Sequence, residues 1–410
     1  MIFLHKNHDA MTNTFLSDDT SKSALAKREI LRLCITHEES SISFFSKTLG
    51  ISVPTVTKLI SELKEDGFIL DEGKIGTSGG RRPSIFGLNP NAGYFVGIDV
   101  ARHHFHIAIT DFKGNMLKYI EDIEFVLESN SGSFRQMCRM VQDNVVVAAG
   151  IPWIKVLAAG VSLSGRVNPE QGYSLTYFVS DDLPLKDLFQ RELNVPVSIE
   201  NDSRALTYGE YMYLGKNANK DMIAINLSWG LGMGMILDGH LYYGKSGFSG
   251  EIGHFPLLDN NIMCRCGKVG CLETGASGSA LRRIIVEKLK AGRRSSLSKI
   301  YKENGNLDLS EILQAVQDGD VLAIECIGEI GEMLGRGIAG VINIFNPGLV
   351  IIGGRLIVGK DHLLLPVRTV VNKYSMARVA SDTKIRLSTL GRKATVLGDC
   401  LLARKKLLGI

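Results

Sequence analysis

Three cysteines and one histidine lie close together in this chain, in a pattern typical of a metal site. The cysteines are Cys264, Cys266 and Cys271, and His254 precedes them. Three thiolates and one imidazole make a closed tetrahedral shell for Zn²⁺, and the glycines between the cysteines let the backbone turn tightly around one ion. Because all four positions are protein ligands, the pattern predicts a structural zinc site. The alternative is three buried free thiols that hold no metal.

The residues around this cluster also resemble a family motif. Glu251-Ile252-Gly253-His254, followed by the run from Cys264 to Glu273, is similar to the signature of the ROK family. That family groups bacterial sugar-responsive repressors with sugar kinases. The resemblance extends from about Ser21 to the C-terminus and implies an α/β chain with a two-lobed, actin-like (ribonuclease-H-like) domain. By itself it leaves open whether the chain is a repressor or a kinase.

Sugar recognition requires carboxylates and amides that converge on hydroxyl groups. By resemblance, the sugar-contacting positions are Asn201, Asp202, Glu251, His254 and Glu273, with Arg166 and Asn168 in a further segment. The alternative for residues 201 and 202 is that they only cap a helix that begins near Arg204. His254 would offer one ring nitrogen to zinc and the other to the sugar, so that the metal would hold the sugar site in shape.

Helical periodicity near the N-terminus predicts a DNA-binding module. Apolar residues recur at helical spacing over about residues 24–36 and 41–48, and a third helix follows the N-cap candidate Ser52. Helix, helix, turn, helix is the order of a helix-turn-helix motif. Strand patterns at residues 68–71 and 84–88 flank a glycine-rich loop, which predicts a wing.

The third helix and the wing tip supply the candidate DNA contacts. These are Ser52, Thr55, Thr57, Lys58, Arg81 and Arg82. Short polar side chains can approach base edges, whereas arginines enter a minor groove or bind phosphates. The net charge of the chain is only +4, so the interpretation depends on where the charges lie. The alternative is a winged-helix module that binds another protein.

Beyond residue 94 the pattern changes to alternating strands and helices. A hairpin pattern that begins near Gly97 is repeated near Ala224, which predicts two related lobes with a cleft between them. We therefore expect a disordered or loosely ordered tail at 1–20, a winged helix-turn-helix domain at 21–90, and a ROK actin-like sugar-sensing domain at 91–410 that contains the zinc-binding loop at 254–273.

Two phosphate loops of the family's kinases are altered here. Those kinases carry Asp-x-Gly-Gly-Thr, whereas Asp99 is followed by Val100-Ala101-Arg102-His103. Their second loop, Gly-Thr-Gly-x-Gly, reads Ser-Trp-Gly-Leu-Gly, with Trp229 in place of threonine. Bulky side chains in place of glycine and a hydroxyl disfavour nucleotide phosphate binding. We expect no catalytic residue, and Asp202, which matches the kinase base, would be a vestigial one.

These patterns favour a DNA-binding transcriptional regulator, a repressor, controlled by a sugar or sugar derivative. Palindromic operators require two recognition helices, so we expect a homodimer or homotetramer. One alternative is an ATP-dependent sugar kinase with an appended DNA-binding module; another is a corepressor-type protein whose lobe binds a protein.

The composition of the chain indicates the cellular compartment in which we expect the protein. No apolar run is long enough to span a membrane, and the N-terminus is unlike a signal peptide. Seven cysteines, an odd number, suit a reducing environment. We expect a cytoplasmic protein without a membrane partner.

Overall fold

The computed structural model describes residues 19–37, 40–74, 84–101, 103–126, 128, 130–176 and 183–409. Its three N-terminal helices are α1 (Lys22–Thr36), α2 (Ile42–Leu49) and α3 (Val53–Glu65). Each helix begins after a serine whose hydroxyl accepts a backbone N–H of the first turn, namely Ser21, Ser41 and Ser52. Such caps satisfy amide groups that have no partner within the helix. The serines therefore set where these helices start.

A two-stranded wing follows the helices. It consists of β1 (Ile69–Lys74) and β2 (Ser84–Leu88), which pair antiparallel with Ile69 opposite Leu88. The Phe86 N–H donates to the Ser40 carbonyl at 2.9 Å, which joins the wing to the start of α2. The segment between the strands, residues 75–83, lies outside the described residues. This arrangement is a winged helix-turn-helix.

The module has a small apolar core. Leu31, Phe45, Val56 and Leu63 are fully buried, and they come from all three helices. Burial of such a side chain contributes roughly 1.5–3 kcal/mol. These contacts fix α3 against the other two helices.

The rest of the chain alternates strands and helices. The strands are β3 (Tyr94–Val100), β4 (His104–Asp111), β5 (Met116–Glu124), β6 (Val156–Leu163), β7 (Val167–Asn168), β8 (Tyr173–Ser174), β9 (Val197–Asn201), β10 (Met222–Leu227), β11 (Leu231–Leu237), β12 (His240–Leu241), β13 (Leu349–Gly353) and β14 (Lys384–Leu387). The helices are α4 (Ser131–Ala149), α5 (Leu185–Leu193), α6 (Asp202–Leu214), α7 (Gly278–Lys290), α8 (Leu297–Asn304), α9 (Leu309–Gln317), α10 (Val321–Phe345), α11 (Lys360–Tyr374), α12 (Ala377–Asp382) and α13 (Lys393–Leu408). Short 3₁₀ helices lie at Pro90–Ala92, Trp153–Lys155, Gly215–Asn217, Ile252–His254, Leu272–Thr274 and Arg355–Gly359.

Two five-stranded sheets share one strand order. The first is ordered β5-β4-β3-β6-β9 and the second β12-β11-β10-β13-β14. Each contains an antiparallel hairpin, β3–β4 or β10–β11, at the place where the sequence shows its internal repeat. Strands β6, β10 and β13 are buried along their whole length, as expected where both faces of a sheet are covered. The expected actin-like α/β architecture is thus confirmed.

Contacts divide the chain into two compact units. The first comprises Met1–Val161, Ser180–Ser198 and Asp399–Ile410, and the second comprises Ser162–Val179 and Ile199–Gly398. In the first unit, the wing is attached to the β4–β5 turn: Lys113 Nζ lies 2.8 Å from Glu72 Oε1, and the Phe68 and Phe112 rings are 5.6 Å apart. In the second unit, α7, α9, α10 and α11 form one apolar core with the sheet.

Over the ranges that the structure describes, no helix combines the length and the apolar character needed to cross a bilayer.

Candidate functional site

The structure brings the four predicted metal ligands together. Each of the four side chains offers one ligand atom, and these four atoms all lie within 4.8 Å of one another. The residues are His254, Cys264, Cys266 and Cys271. Cys264 and Cys271 are buried, whereas Cys266 is exposed at the surface. The cluster therefore lies at the edge of the second unit, with its two inner thiols shielded from water.

Local backbone geometry forms this cluster. The Cys264 N–H donates to the Lys268 carbonyl, and the Gly267 N–H donates to the Cys264 carbonyl, which closes a tight turn around the thiols. Gly267 and Gly270 have φ of +83° and +76°, a region that favours glycine. At Gly270 a Cβ would lie 2.3 Å from the Leu258 carbonyl oxygen, so no larger residue fits.

The distances fit a tetrahedral ion. Cys266 Sγ and Cys271 Sγ are 3.6 Å apart, and Cys264 Sγ and His254 Nδ1 are 3.5 Å apart. Ordinary Zn–S and Zn–N bonds of about 2.3 Å and 2.0 Å place ligand atoms about 3.5–3.8 Å apart in a tetrahedron. The donor set and its spacing thus suit zinc, with Nδ1 of His254 as the nitrogen ligand.

A second histidine cluster differs from the sequence-based interpretation. In the sequence, His103, His104 and His106 have no carboxylate or thiol partner at metal-ligand spacing, which predicts ordinary surface and core residues. The structure instead brings Asp122 from β5 to within 3.9 Å of His104 Nε2. However, Nδ1 of His106 accepts the Asp122 N–H at 3.0 Å, which puts the ring proton of neutral His106 on Nε2. His106 therefore has no unprotonated nitrogen for an ion while that bond is made.

Asn201 and Asp202 stand where β9 ends and α6 begins. The Asn201 side chain accepts the backbone N–H groups of Ser203 and Arg204, so this residue does cap α6. Its Nδ2 donates to the Gly165 carbonyl at 2.8 Å, which ties the helix start to the segment before β7. Capping orients the amide without preventing a ligand from approaching the neighbouring carboxylate.

The Asp202 carboxylate is held in a half-buried position. Ser164 Oγ donates to Asp202 Oδ2 at 2.8 Å, and the Ser203 N–H donates to Oδ1 at 2.7 Å. Burial raises the pKa of Asp202, and these hydrogen bonds oppose that shift. The carboxylate has a fixed direction, as a sugar hydroxyl acceptor requires.

Glu251 and His254 lie near one another, and the charge of Arg166 acts on the Glu251 carboxyl. Glu251 Oε2 is 3.7 Å from His254 Nε2, the ring nitrogen that does not face the cysteines. Partial burial raises the pKa of Glu251, and the charges of His254 and then Arg166 oppose this. The Asp202 charge acts on the same carboxyl. Glu251 and the predicted metal ligand His254 therefore form a polar pair, on which the charges of Asp202 and Arg166 also act.

Glu273 connects two loops. Its Oε2 accepts the Leu231 N–H at 3.0 Å, and its Oε1 lies 3.9 Å from Cys264 Sγ. At Gly230 a Cβ would lie 2.9 Å from the same Oε2, so the turn before β11 approaches the carboxylate closely. At least one oxygen of this predicted sugar contact is thus engaged with backbone. Asn168, another predicted contact, is hydrogen-bonded to Gln171 within the β7–β8 hairpin.

A buried ion pair that the sequence analysis missed supports the cluster. Arg204 Nε donates to Glu200 Oε1 at 2.7 Å, and both side chains are almost fully buried. Arg204 Nη2 also donates to the Val167 carbonyl at 3.0 Å, and the guanidinium lies 5.7 Å from the Tyr243 ring centre. Burial raises the pKa of Glu200, and Arg204 is the main opposing charge. The i,i+4 spacing of opposite charges was the available sequence signal.

Replacing Arg204 with methionine is expected to lower the free energy of unfolding by about 3–5 kcal/mol, because Glu200 would stay buried without its cation. Urea denaturation measures this loss. Since the unpaired carboxyl would have a raised pKa, the loss should be smaller at about pH 5.5 than at about pH 7.5. The double variant Glu200→Leu with Arg204→Met should recover most of the stability. A single variant that loses less than about 1 kcal/mol would contradict this account.

The altered second phosphate loop is occupied by protein contacts. The Trp229 ring lies 5.0 Å from the Arg282 guanidinium, and the Ser228 and Trp229 carbonyls accept N–H groups from the start of α7. In the first altered loop, the Ala101 N–H donates to the His104 carbonyl. Arg102 lies outside the described residues. The two loops belong to different compact units.

The predicted DNA contacts on α3 are exposed. Ser52, Thr55, Thr57 and Lys58 all lie away from the module's core. The Lys58 side chain is 78% exposed, and its Nζ is 3.9 Å from Glu62 Oε1. These residues therefore expose short hydroxyl side chains and one cation to solvent. Arg81 and Arg82 fall in the segment outside the described residues.

Comparisons with known proteins agree with this architecture. The ROK family profile matches residues 95–406. The chain is 29% identical to the xylose repressor of Caldicellulosiruptor bescii over 385 residues, which covers 93% of this chain and 96% of that protein. It is 34% identical to a glucokinase of Halalkalibacterium halodurans over 254 residues, which covers 61% of this chain and 77% of that enzyme. A crystal structure described as a ROK family transcriptional regulator, homolog of the E. coli MLC protein, matches with a TM-score of 0.77 and 26% identity over 93% of this chain and 96% of that one.

The fold defines a two-lobed actin-like protein with an N-terminal winged helix-turn-helix. The chain belongs to the ROK family. Within that family, the comparisons favour the regulators over the kinases, because the matches to the xylose repressor and to the ROK transcriptional regulator each cover 93% of this chain, whereas the glucokinase match covers 61%.

Proposed function

We propose that the protein is a transcriptional repressor that binds operator DNA and is controlled by a sugar or sugar derivative. One observation carries the proposal: the similarity to a xylose repressor runs through 93% of the chain, the DNA-binding module included. The polar cluster of Asp202, Glu251 and His254 supports a sugar as the controlling ligand, because it offers fixed acceptors to hydroxyl groups.

Zinc would have a positioning role in this sensor. His254 Nδ1 faces the cysteines while Nε2 faces Glu251, so a bound ion would fix the ring at one edge of the sugar site. When bound, Zn²⁺ would supply a closed structural shell that anchors the loop. Glu273 would extend this effect, since its carboxylate lies between Cys264 and the backbone of Leu231.

DNA binding would use α3 and the wing. The exposed Thr55 and Thr57 would contact base edges, Ser52 and Lys58 would contact the backbone, and Arg81 and Arg82 would reach a groove or phosphates. Two such modules match a palindromic site, which favours a homodimer or a dimer of dimers.

An active kinase is the second candidate, since the match to a glucokinase covers 61% of this chain. Asp202 occupies the position of the kinase base, and its pKa is raised by burial. Against catalysis, the first loop lacks the two glycines and the hydroxyl, and Trp229 packs on Arg282 in the second. We therefore favour a sensor without turnover.

One experiment separates the two candidates. We expect no sugar-dependent ATP consumption above background from the native protein, with zinc and magnesium present. We expect the Asp202→Asn variant to need about tenfold more sugar for the same thermal shift, because an amide replaces a charged acceptor. A coupled ATPase assay and thermal-shift titrations with D-xylose, D-glucose and N-acetyl-D-glucosamine measure both. Robust turnover that disappears in Asp202→Asn would identify a kinase.

A further inference from the structure

A cavity whose lining includes the proposed sugar contact Asn168 lies between the β7–β8 hairpin and the loop of residues 245–248. It is open to solvent, and its volume is about 490 Å³. Its lining includes Asn168, Gln171, Tyr173, Lys245 and Phe248. That volume falls within the range of about 300–1,000 Å³ that is usual for ligand pockets. The proposed sugar-contacting set includes only one of these lining residues, Asn168, so most of the cavity has no assigned role.

Both walls of the cavity are close in the sequence to proposed sugar contacts. The hairpin wall begins after Arg166, whose charge acts on Glu251. The loop wall ends at Phe248, three residues before Glu251. A ligand that bound to the Asp202–Glu251 cluster could therefore extend into this cavity without leaving the same surface of the second unit.

The two walls are held by one buried group. Arg204 donates to the Val167 carbonyl in the hairpin and lies against the Tyr243 ring at the start of the loop. Gly247 allows close contact between the walls, since its φ is +78° and a Cβ would lie 2.8 Å from Pro169 Cδ. These contacts set the cavity's shape before any ligand arrives.

The loop and the hairpin also close on themselves. Ser249 Oγ donates to the Tyr242 carbonyl at 2.7 Å, and Gln171 N–H donates to Asn168 Oδ1 at 3.0 Å. Asn168 Nδ2 donates to Gln171 Oε1 at 3.1 Å, and this hydrogen bond holds the two side-chain amides together. A preformed cavity of this kind costs little ordering entropy on binding.

The chemistry of the lining fits a second sugar unit. Tyr173 and Leu175 are 41% and 50% exposed and offer apolar surface, as does Phe248, for the C–H face of a pyranose. The two amides and Ser246 can donate to and accept from hydroxyls. Glu170 and Lys245 contribute opposite charges, so the lining favours a neutral polyhydroxyl group over a phosphate or a carboxylate.

We propose that this cavity is a subsite for a second glycosyl unit, so that the effector is a disaccharide or a larger glycoside and not a free monosaccharide. The inference rests on the proposed sugar-sensing function and specifies its ligand class. The first unit would occupy the Asp202–Glu251 cluster, and the second would lie against Tyr173.

Matched ligand pairs test this on the full-length, zinc-loaded protein. The probes are D-xylose with xylobiose, D-glucose with cellobiose and maltose, and N-acetyl-D-glucosamine with chitobiose, titrated by calorimetry. We expect at least one disaccharide to bind about tenfold or more tighter than its monosaccharide. Tyr173→Ala should abolish that preference while leaving monosaccharide affinity within about twofold. Tyr173→Phe should keep it, because the ring face remains.

Tyr242→Ala is the matched control, since Tyr242 is 46% exposed and does not line the cavity. It should change no affinity beyond about twofold. A wild-type protein that binds monosaccharides with no preference for any disaccharide would overturn the subsite but keep the sugar site. Retention of the preference in Tyr173→Ala would also overturn it. Failure of every sugar to bind would overturn the sugar-sensing function as well.

Discussion

Cys266→Ser is expected to reduce bound zinc from about one ion per chain to a small fraction of that, because the shell loses one of four ligands. If free zinc in the cell exceeds the dissociation constant by about 100–1,000-fold, the ion contributes roughly 3–4 kcal/mol to folding. The variant should lose most of that amount. Elemental analysis of freshly purified protein measures zinc, and urea denaturation with and without a chelator measures the stability.

Cys34→Ser provides the matched control. Cys34 is a half-buried thiol in the N-terminal module, which belongs to the other compact unit, and its Sγ is 3.8 Å from the Phe86 carbonyl oxygen. The zinc content of the Cys34→Ser variant should equal that of the native protein. Metal-free native protein would show that the cluster is a group of free thiols, as would equal chelator sensitivity in Cys266→Ser and the native protein.

Loss of the wing arginines is expected to weaken DNA binding broadly. Arg81→Ala and Arg82→Ala should each reduce the affinity about tenfold for all DNA sequences, because phosphate contacts carry no sequence information. Each should also reduce the slope of log affinity against log salt concentration by about one, since one fewer counterion is released. Thr55→Ala and Thr57→Ala should instead change which sequences are preferred, by about 1–3 kcal/mol at individual base pairs. Selection from random duplexes gives the preference, and binding titrations at several salt concentrations give the slopes.

Lys299→Ala is a suitable control for charge. Lys299 lies in α8, its side chain is 83% exposed, and it belongs to the other compact unit. Its removal should leave both the affinity and the salt slope nearly unchanged. The DNA interface is misassigned if the arginine and threonine variants bind and select DNA as the native protein does.

Together, the two experiments test the sugar-sensing part and the DNA-binding part of the proposed regulator. The zinc variant alters the support of the sugar site, and the wing variants alter the operator interface. If zinc holds His254 in place, Cys266→Ser should also weaken the sugar response while leaving sugar-free DNA binding intact. Such a separation would distinguish loss of sensing from general loss of folding.

The sequence by itself determined the features that depend on nearby residues. The predicted zinc ligands are recognisable because Cys264, Cys266 and Cys271 lie within one turn-rich loop, where spacing nearly fixes geometry. The start of α3 is recognisable because the Ser52 cap acts on an amide only a few residues away, and the structure adds similar caps at Ser21 and Ser41. The repeated hairpin pattern predicted two related lobes, and each repeat is one hairpin of a five-stranded sheet in the structure.

Only the tertiary structure decided the contacts between distant parts of the chain. Arg204 reaches the Val167 carbonyl, Glu273 reaches the Leu231 N–H, and Asp122 reaches His104 across a strand pair. The cavity beside Tyr173 exists only because the β7–β8 hairpin and the loop before Glu251 meet in space. Hydrogen bonds and periodicity within a few residues leave a signal in a single sequence, whereas long-range pairing depends on how packed elements bring remote segments together.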